Sequence, residues 1–391
     1  MANLNSWQKI TRVLPGLPFG DGIDGSYNSS TIPTMTYRSC SGSSGSRTLT
    51  LGFAGFSNGD LILIHQTRGT GAGQWEINRV VSGGGTTSLT LQTPLQYTYT
   101  DSGNSQAQAV KIPRYTNVTV PSGANWTVPD WNGDVGGIFV FAAKKTTIIT
   151  GTVTANGKGY VGAVSSIYNN WNNYGEGTNG AASTSSPGSG APNGSGGGGG
   201  KDAVTTFPGG GGGGGHATAG TNGSAGSGGG GGTGGVQVGS ANLSNLLFGG
   251  GGGAGGAQND TSWHTGGTGG KGGGIFITFS KNLTITGAIS SAGLAGGNAS
   301  TKAGGGGGGA GGAILMVCAV ATLGTNRVTS AAGSGGAGNS GGGNGGAGSV
   351  GRIAIHYSVS YSGSTNPTLY ANQDPSLVET SGGGSFLYNF I

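Results

Sequence analysis

The chain has 391 residues, of which 95 are glycine, 33% are apolar and only 7% are charged, with a formal net charge of +5. An ordinary globular domain carries about 25% charged residues and about 7% glycine. The composition therefore disfavours one large side-chain core, and the low net charge disfavours plain disorder.

The N-terminus, Met1 to Ile10, has no apolar h-region, so no secretory signal is expected. That fits release by lysis, as for virion proteins, or a non-classical exporter. The longest apolar run, 313–321, is nine residues and too short to span a bilayer. The 17 Lys and Arg are scattered, so no nucleic-acid partner is expected.

Residues 1–135 hold the ordinary side chains. Short runs at Thr48-Leu-Thr-Leu, Leu61-Ile-Leu-Ile-His, Trp75-Glu-Ile-Asn-Arg-Val-Val, Ser88-Leu-Thr-Leu, Ala109-Val-Lys-Ile and Tyr115-Thr-Asn-Val-Thr-Val are separated by Gly/Ser/Asn/Asp turn signals. Several short strands at this spacing predict a small β-barrel or sandwich. Trp75, Phe53 and Phe56 are expected in its core. This region is assigned as an attachment or assembly domain, the contact to other virion or filament subunits.

A repeat then sets in. Apolar segments begin at Ile275, Ile314 and Ile353, each 39 residues apart, and weaker ones at Ile289 and Val328 keep the same spacing. Gly136-Gly-Ile-Phe-Val-Phe aligns with Gly273-Gly-Ile-Phe-Ile-Thr-Phe, so 136–155 reads as the first coil of the same stack. A fixed period with strands that need partners above and below predicts a repeat β-solenoid, with coils at 138, 275, 314 and 353. The domain is placed at 136–361, with 362–391 as a capping tail.

The rest of each period is nearly pure glycine, as in 249–256 and 304–309. Such runs normally read as flexible linker. Here they recur in register with strands and lack charge, which favours extended three-residue-per-turn helices bonded sideways to their neighbours, that is, polyglycine II. Solvated loops on the solenoid are the alternative. The fold expected is thus all-β and irregular: a barrel or sandwich, then a solenoid carrying a polyglycine II bundle.

Catalytic chemistry is hard to find. The 12 acidic residues form no carboxylate pair, and His65, His216, His264 and His356 are isolated, without metal-ligand spacing. Lys201 follows a glycine run, but Ser195 and Asp202 break the phosphate-loop pattern. No catalytic site, metal or cofactor is expected. Cys40 and Cys318 either pair or, the blander reading, are two buried free thiols. What stands out is Tyr168-Asn-Asn-Trp171-Asn-Asn-Tyr174, with Phe207, Trp263 and His264 in other loops between glycine blocks. Aromatics with amide neighbours suit flat contacts with sugars or protein loops. The competing reading folds them back as a cover over the glycine.

Glycine blocks with aromatic and polar loops at their ends resemble the glycine-rich receptor-binding adhesins at the long tail fibre tips of T-even-like bacteriophages. The resemblance covers roughly 160–350 and is compositional. It implies a rigid rack whose end loops choose a host outer-membrane protein or sugar, with an N-terminal domain attached to the fibre. The first 135 residues match no attachment domain of that family. The resulting expectation is a non-enzymatic virion or extracellular adhesin that binds a host cell-surface protein or glycan through Tyr168, Trp171, Tyr174, Phe207, Trp263 and His264. A self-assembling extracellular filament or surface subunit is the alternative, and ice binding a weaker one.

Overall fold

The structure, a computed structural model, describes residues 6–165, 172–185, 192–203, 206–259 and 263–379. Its regular structure is nearly all β: a closed six-stranded barrel and a ten-stranded curled sheet, with one short helix at Ser6–Thr11.

The barrel is closed by Tyr37–Ser41, Thr48–Leu51, Leu61–Arg68, Trp75–Ser82, Ser88–Leu91 and Gln106–Lys111. Thr48–Leu51 and Ser88–Leu91 alternate exposed hydroxyls with buried leucines, the period-two pattern of a half-buried strand. Leu49, Phe56, Ile62, Ile64, Val80 and Leu89 fill the interior. Phe53, expected above in this core, does not join them and is 78% exposed. Arg38 Nε donates to Ala54 O at 2.8 Å and holds that turn outside the wall, so that Phe56 is the ring that enters.

The curled sheet is built of parallel coils, each a long strand followed by a shorter arm. The stack begins one coil earlier than the sequence repeat suggested, because Arg114–Val120 and Asn125–Thr127 pair in parallel with Ile138–Ile149 and Thr152–Thr154. Next come Ile275–Ile285 with Ala288–Ser290, then Ala313–Thr329, then Arg352–Asn366. The long strands are apolar on both faces, as buried parallel strands are. Ile138, Val140, Ile275, Ile277 and Leu315 face a core shared with Trp75, Ile77 and Leu63 of the barrel. Phe139, Phe276, Ile314 and Ile353 face the core inside the curl, with Trp126, Val153, Ile289 and Val328 of the short arms.

One register differs from the 39-residue reading. Ile314 pairs with Ile353 and Ile289 with Val328 as expected, but Ile275 pairs with Ala313 and Phe276 with Ile314. A one-residue slip exchanges the two faces of a strand. In a run apolar on both sides, the hydrophobic pattern does not choose between the registers.

The glycine segments are hydrogen-bonded to one another with a period of three. In 304–312, residues Gly304, Gly307 and Ala310 donate to Gly256, Gly253 and Gly250; Gly305, Gly308 and Gly311 donate to Gly343, Gly346 and Ser349; Gly306, Gly309 and Gly312 donate to Gly297, Leu294 and Ser291, all at 2.8–3.0 Å. The carbonyls of the same segment accept from Gly267 and Gly270, from Gly211 and Gly214, and from Gly336 and Gly333. Six neighbours therefore surround it. Segments 209–215 and 249–256 sit in the same way. A Cβ on Gly307 would lie 2.0 Å from Gly212 O, and one on Gly213 would lie 1.9 Å from Ala347 O. In 265–272, Thr265, Thr268 and Lys271 are exposed and the glycines between them face neighbouring segments.

Candidate functional site

Chain direction fixes where the loops lie. Segment 291–299 leaves the sheet from Ala288–Ser290, and 303–312 returns into Ala313–Thr329; 330–338 leaves and 342–351 returns into Arg352–Asn366. Segments 249–256 and 209–215 are antiparallel to each other, and 209–215 runs parallel to 304–312. The turns near 226–228, 299–303 and 338–342, and the described residues 201–203, 206–208, 257–259 and 263–265, therefore all lie at the end of the bundle away from the sheet.

These described residues are bonded to one another across the end. Ala257 N donates to Asp202 Oδ1 at 2.7 Å, and Ala203 bridges Gln258. Thr265 N donates to Ser300 Oγ at 2.8 Å, and Asn339 N donates to Ala303 O at 3.0 Å. Phe207 N donates to Ser227 Oγ at 3.2 Å, and its half-buried ring lies where a side chain on Gly341 would be, 2.6 Å from the Cβ position. Phe207 is thus partly a cover over the 338–342 turn, with the rest of its ring open. Asp202 is buried and its carboxylate serves the scaffold. Gln258 is buried as well, and its Oε1 has no hydrogen-bond partner.

Of the six aromatic and histidine candidates, Phe207 and His264 are brought to this end on adjoining reversals, His264 in a small hairpin opposite Gln258. Trp263 pairs with Asn259 in that hairpin through its backbone; its side chain lies outside the described residues. Tyr168 and Trp171 also lie outside them. Tyr174 is on the flank, paired with Ser183. Ala254 N donates to Asn173 O, which sets Tyr174 level with Gly253, short of the end.

The opposite end is fixed to the barrel. Glu176 is 1% exposed and binds three parts of the molecule: Arg68 of the barrel as an ion pair, Trp131 Nε1 at 2.9 Å and Val161 N at 2.8 Å. Trp75 Nε1 donates to Leu243 O at 3.2 Å, and His65 Nε2 bonds Leu246 O at 2.7 Å. Phe248 packs among Trp131, Tyr160 and His65. Burial lowers the His65 pKa to about 4, so this ring is neutral at pH 7 and its Nε2–H donates. The sequence signal for this joint was the run Leu246-Leu247-Phe248, which reads as loop beside so much glycine. Glu176 carries no local signal at all.

Cys40 and Cys318 are free and buried, matching the blander of the two readings. Among the described residues no group of three His, Cys, Asp or Glu could hold a metal. No described helix is long and apolar enough to cross a membrane.

No protein-family model matches this chain. No curated protein matches its sequence. Among solved structures it is similar to the Gp54 tailspike of Acinetobacter baumannii bacteriophage AP22, in complex with A. baumannii capsular saccharide, at 10% identity and a TM-score of 0.19. The match covers 87% of this chain and 57% of the tailspike, so the chain spans little more than half the tailspike's length. A TM-score that low shows no shared fold.

Proposed function

We propose that the period-three segments are a polyglycine II bundle standing on a β-solenoid, and that the protein is a non-enzymatic adhesin of a virion. Three residues per turn is the repeat of an extended left-handed helix, and a hydrogen bond every third residue to the same neighbour is what that repeat implies. Residues 1–135 attach it to other virion subunits, and the far end of the bundle binds a host cell-surface protein or glycan. The observation that carries this reading is the gathering of the described residues 201–203, 206–208, 226–228, 257–259, 263–265, 299–303 and 338–342 at one end of a rack whose other end is fixed to the barrel. Rigid support lowers the ordering cost of binding loops.

The filament alternative meets an obstacle. The outer edge of Arg114–Val120 is already taken by Asp24, Gly25, Tyr27 and Asn28, which blocks head-to-tail addition of coils there.

The test is adsorption of the purified full chain to a panel of bacteria that differ in outer-membrane proteins and surface glycans. Replacing 204–207 and 259–263 with Gly/Ser is expected to abolish binding to the strains that the unaltered chain recognises. The same replacement in the barrel turn 43–46 is expected to leave it intact. Equal binding by all three proteins would remove the bundle's end from the mechanism.

A further inference from the structure

The barrel carries a groove of about 580 Å³ on its outer face. Its floor is the outward side of two paired strands. Thr48 and Thr50 are exposed there while Leu49 and Leu51 are buried, and Thr50 stands opposite Ser41. Its wall is the segment 98–102, which brings Thr98, Thr100 and Asp101 to the groove. That wall is fixed at several points. Gly42 and Tyr99 exchange backbone hydrogen bonds at 3.0 and 2.8 Å, and Ser102 and Ser105 do so at 2.9 and 3.0 Å. The buried Gln66 side chain accepts from Thr100 N at 2.8 Å and donates to Thr100 O at 3.0 Å. A groove set in advance lowers the ordering cost of binding.

Small-molecule sites of this size usually have apolar walls. Here every lining residue except Gly42 and Asp101 bears a hydroxyl, and the single aromatic among them, Tyr99, is only 2% exposed. An apolar ligand finds nothing to cover it. No Lys, Arg or His lines the groove, and burial and then Asp101 raise the carboxyl of Asp134, which places a second acid nearby. Negative groups without a basic partner turn away phosphate, sulfate and acidic sugars by like-charge repulsion. One lining carboxylate is also a poor cage for a divalent cation, which gathers several charged or carbonyl oxygens.

What fits is a ligand that is itself a row of hydroxyls. A Ser or Thr hydroxyl both donates and accepts, and a carboxylate takes short, charge-assisted bonds from O–H groups. Among the described residues, Thr48, Thr50 and Thr100 bond within the chain only through their backbones, and the Asp101 carboxylate has no hydrogen bond or ion pair. The geometry points to an uncharged saccharide lying in this groove, its hydroxyls held by Asp101, Thr50 and Thr100. The site is on the barrel and separate from the far end of the bundle, so this inference and the adhesin reading can each fail alone.

The experiment uses the full chain on an array of uncharged oligosaccharides and of oligosaccharides bearing uronic acid or sulfate. Binding is expected to some of the uncharged set and to none of the acidic set. Calorimetric titration with the strongest uncharged oligosaccharide then compares variants. Asp101→Asn keeps the shape and is expected to weaken binding about tenfold, the scale of a hydrogen bond to a charged group. Thr50→Val removes one hydroxyl and is expected to weaken it several-fold. Thr90→Val, an exposed hydroxyl on the next strand outside the groove, is expected to change nothing, and all three variants should unfold at the parent temperature. The chain with 204–207 and 259–263 replaced by Gly/Ser is expected to bind the same oligosaccharide as well as the parent does. An array with no uncharged oligosaccharide bound, a preference for the acidic set, affinity that Asp101→Asn or Thr50→Val leaves unchanged, or affinity lost with the bundle-end replacement would each overturn the inference.

Discussion

Gly307 donates its amide to Gly253 O at 2.8 Å, between two segments that are 54 positions apart and carry no side chain at the contact. The same glycine accepts from Gly270 N at 2.8 Å, and its absent side chain would strike Gly212 O. Amide pairing to several neighbours at once holds the bundle together, and it works only while nothing projects between the backbones.

Gly307→Ala should therefore be severe. The Cβ would lie 2.0 Å from a carbonyl oxygen, and backbone cannot step aside as a flexible side chain can. A loss of roughly 3 kcal/mol or more is expected, the scale of strong overpacking. Gly230→Ala is the control, because nothing lies within 4 Å of its Cβ position. It should be neutral, or stabilising by about 0.4–1 kcal/mol through the unfolded chain. Thermal unfolding of the two variants reads the contrast, and equal curves would mean that the close packing is not real.

Amide exchange tests the rack directly. Segments 209–215, 249–256 and 304–312 are expected to exchange as slowly as the central strands Ile275–Ile285 and Ala313–Thr329, since their amides are bonded on three sides. The exposed positions Thr268 and Lys271 should exchange faster than Gly267 and Gly270 on the same segment. Coil-like rates throughout would leave no rigid support for the loops.

Glu176→Gln probes the joint between bundle and barrel. It removes the charge facing Arg68, which is itself buried, while keeping the shape and an acceptor for Trp131 and Val161. Breaking a buried pair from one side costs about 3–5 kcal/mol because the remaining charge is stranded. Arg68→Met together with Glu176→Gln should recover part of that loss. Denaturant unfolding measures both, and a double variant no better than the single one would contradict the assignment.

Acid should loosen the molecule through two histidines. Burial lowers His216, which bonds Gly311 O at 2.7 Å beside Arg352, to about 4, and it does the same to His65. Each folded-state pKa lies below the unfolded value of about 6.5. The unfolded chain therefore binds more protons between those limits, so stability is full above about pH 6.5 and is lost as pH falls toward 4. The ceiling is on the order of 3 kcal/mol per ring. Glu76 acts oppositely between about 4.5 and 7, because burial raises its carboxyl to about 7 even with Arg12 beside it. Urea midpoints from pH 4 to 7 for His216→Asn should show a shallower slope than the parent; an unchanged slope would remove His216 from the account.

Much of this protein was legible before folding was considered. Alternation in Thr48-Leu-Thr-Leu and Ser88-Leu-Thr-Leu marked half-buried strands, because period two is a property of any single strand. The match of Ile289 with Val328, and of Gly136-Gly-Ile-Phe with Gly273-Gly-Ile-Phe, marked segments that pair in parallel in the curled sheet, because identical units present identical edges. What the chain could not state locally was decided by contact between distant parts. The pairing of Phe276 with Ile314 was settled by which face met the barrel, since both faces are apolar. Glu176 became a buried anchor only when Arg68, 108 positions away, closed on it. The gathering of Phe207 and His264 at one end follows from how many times the chain reverses and in which direction, a count that no single segment contains.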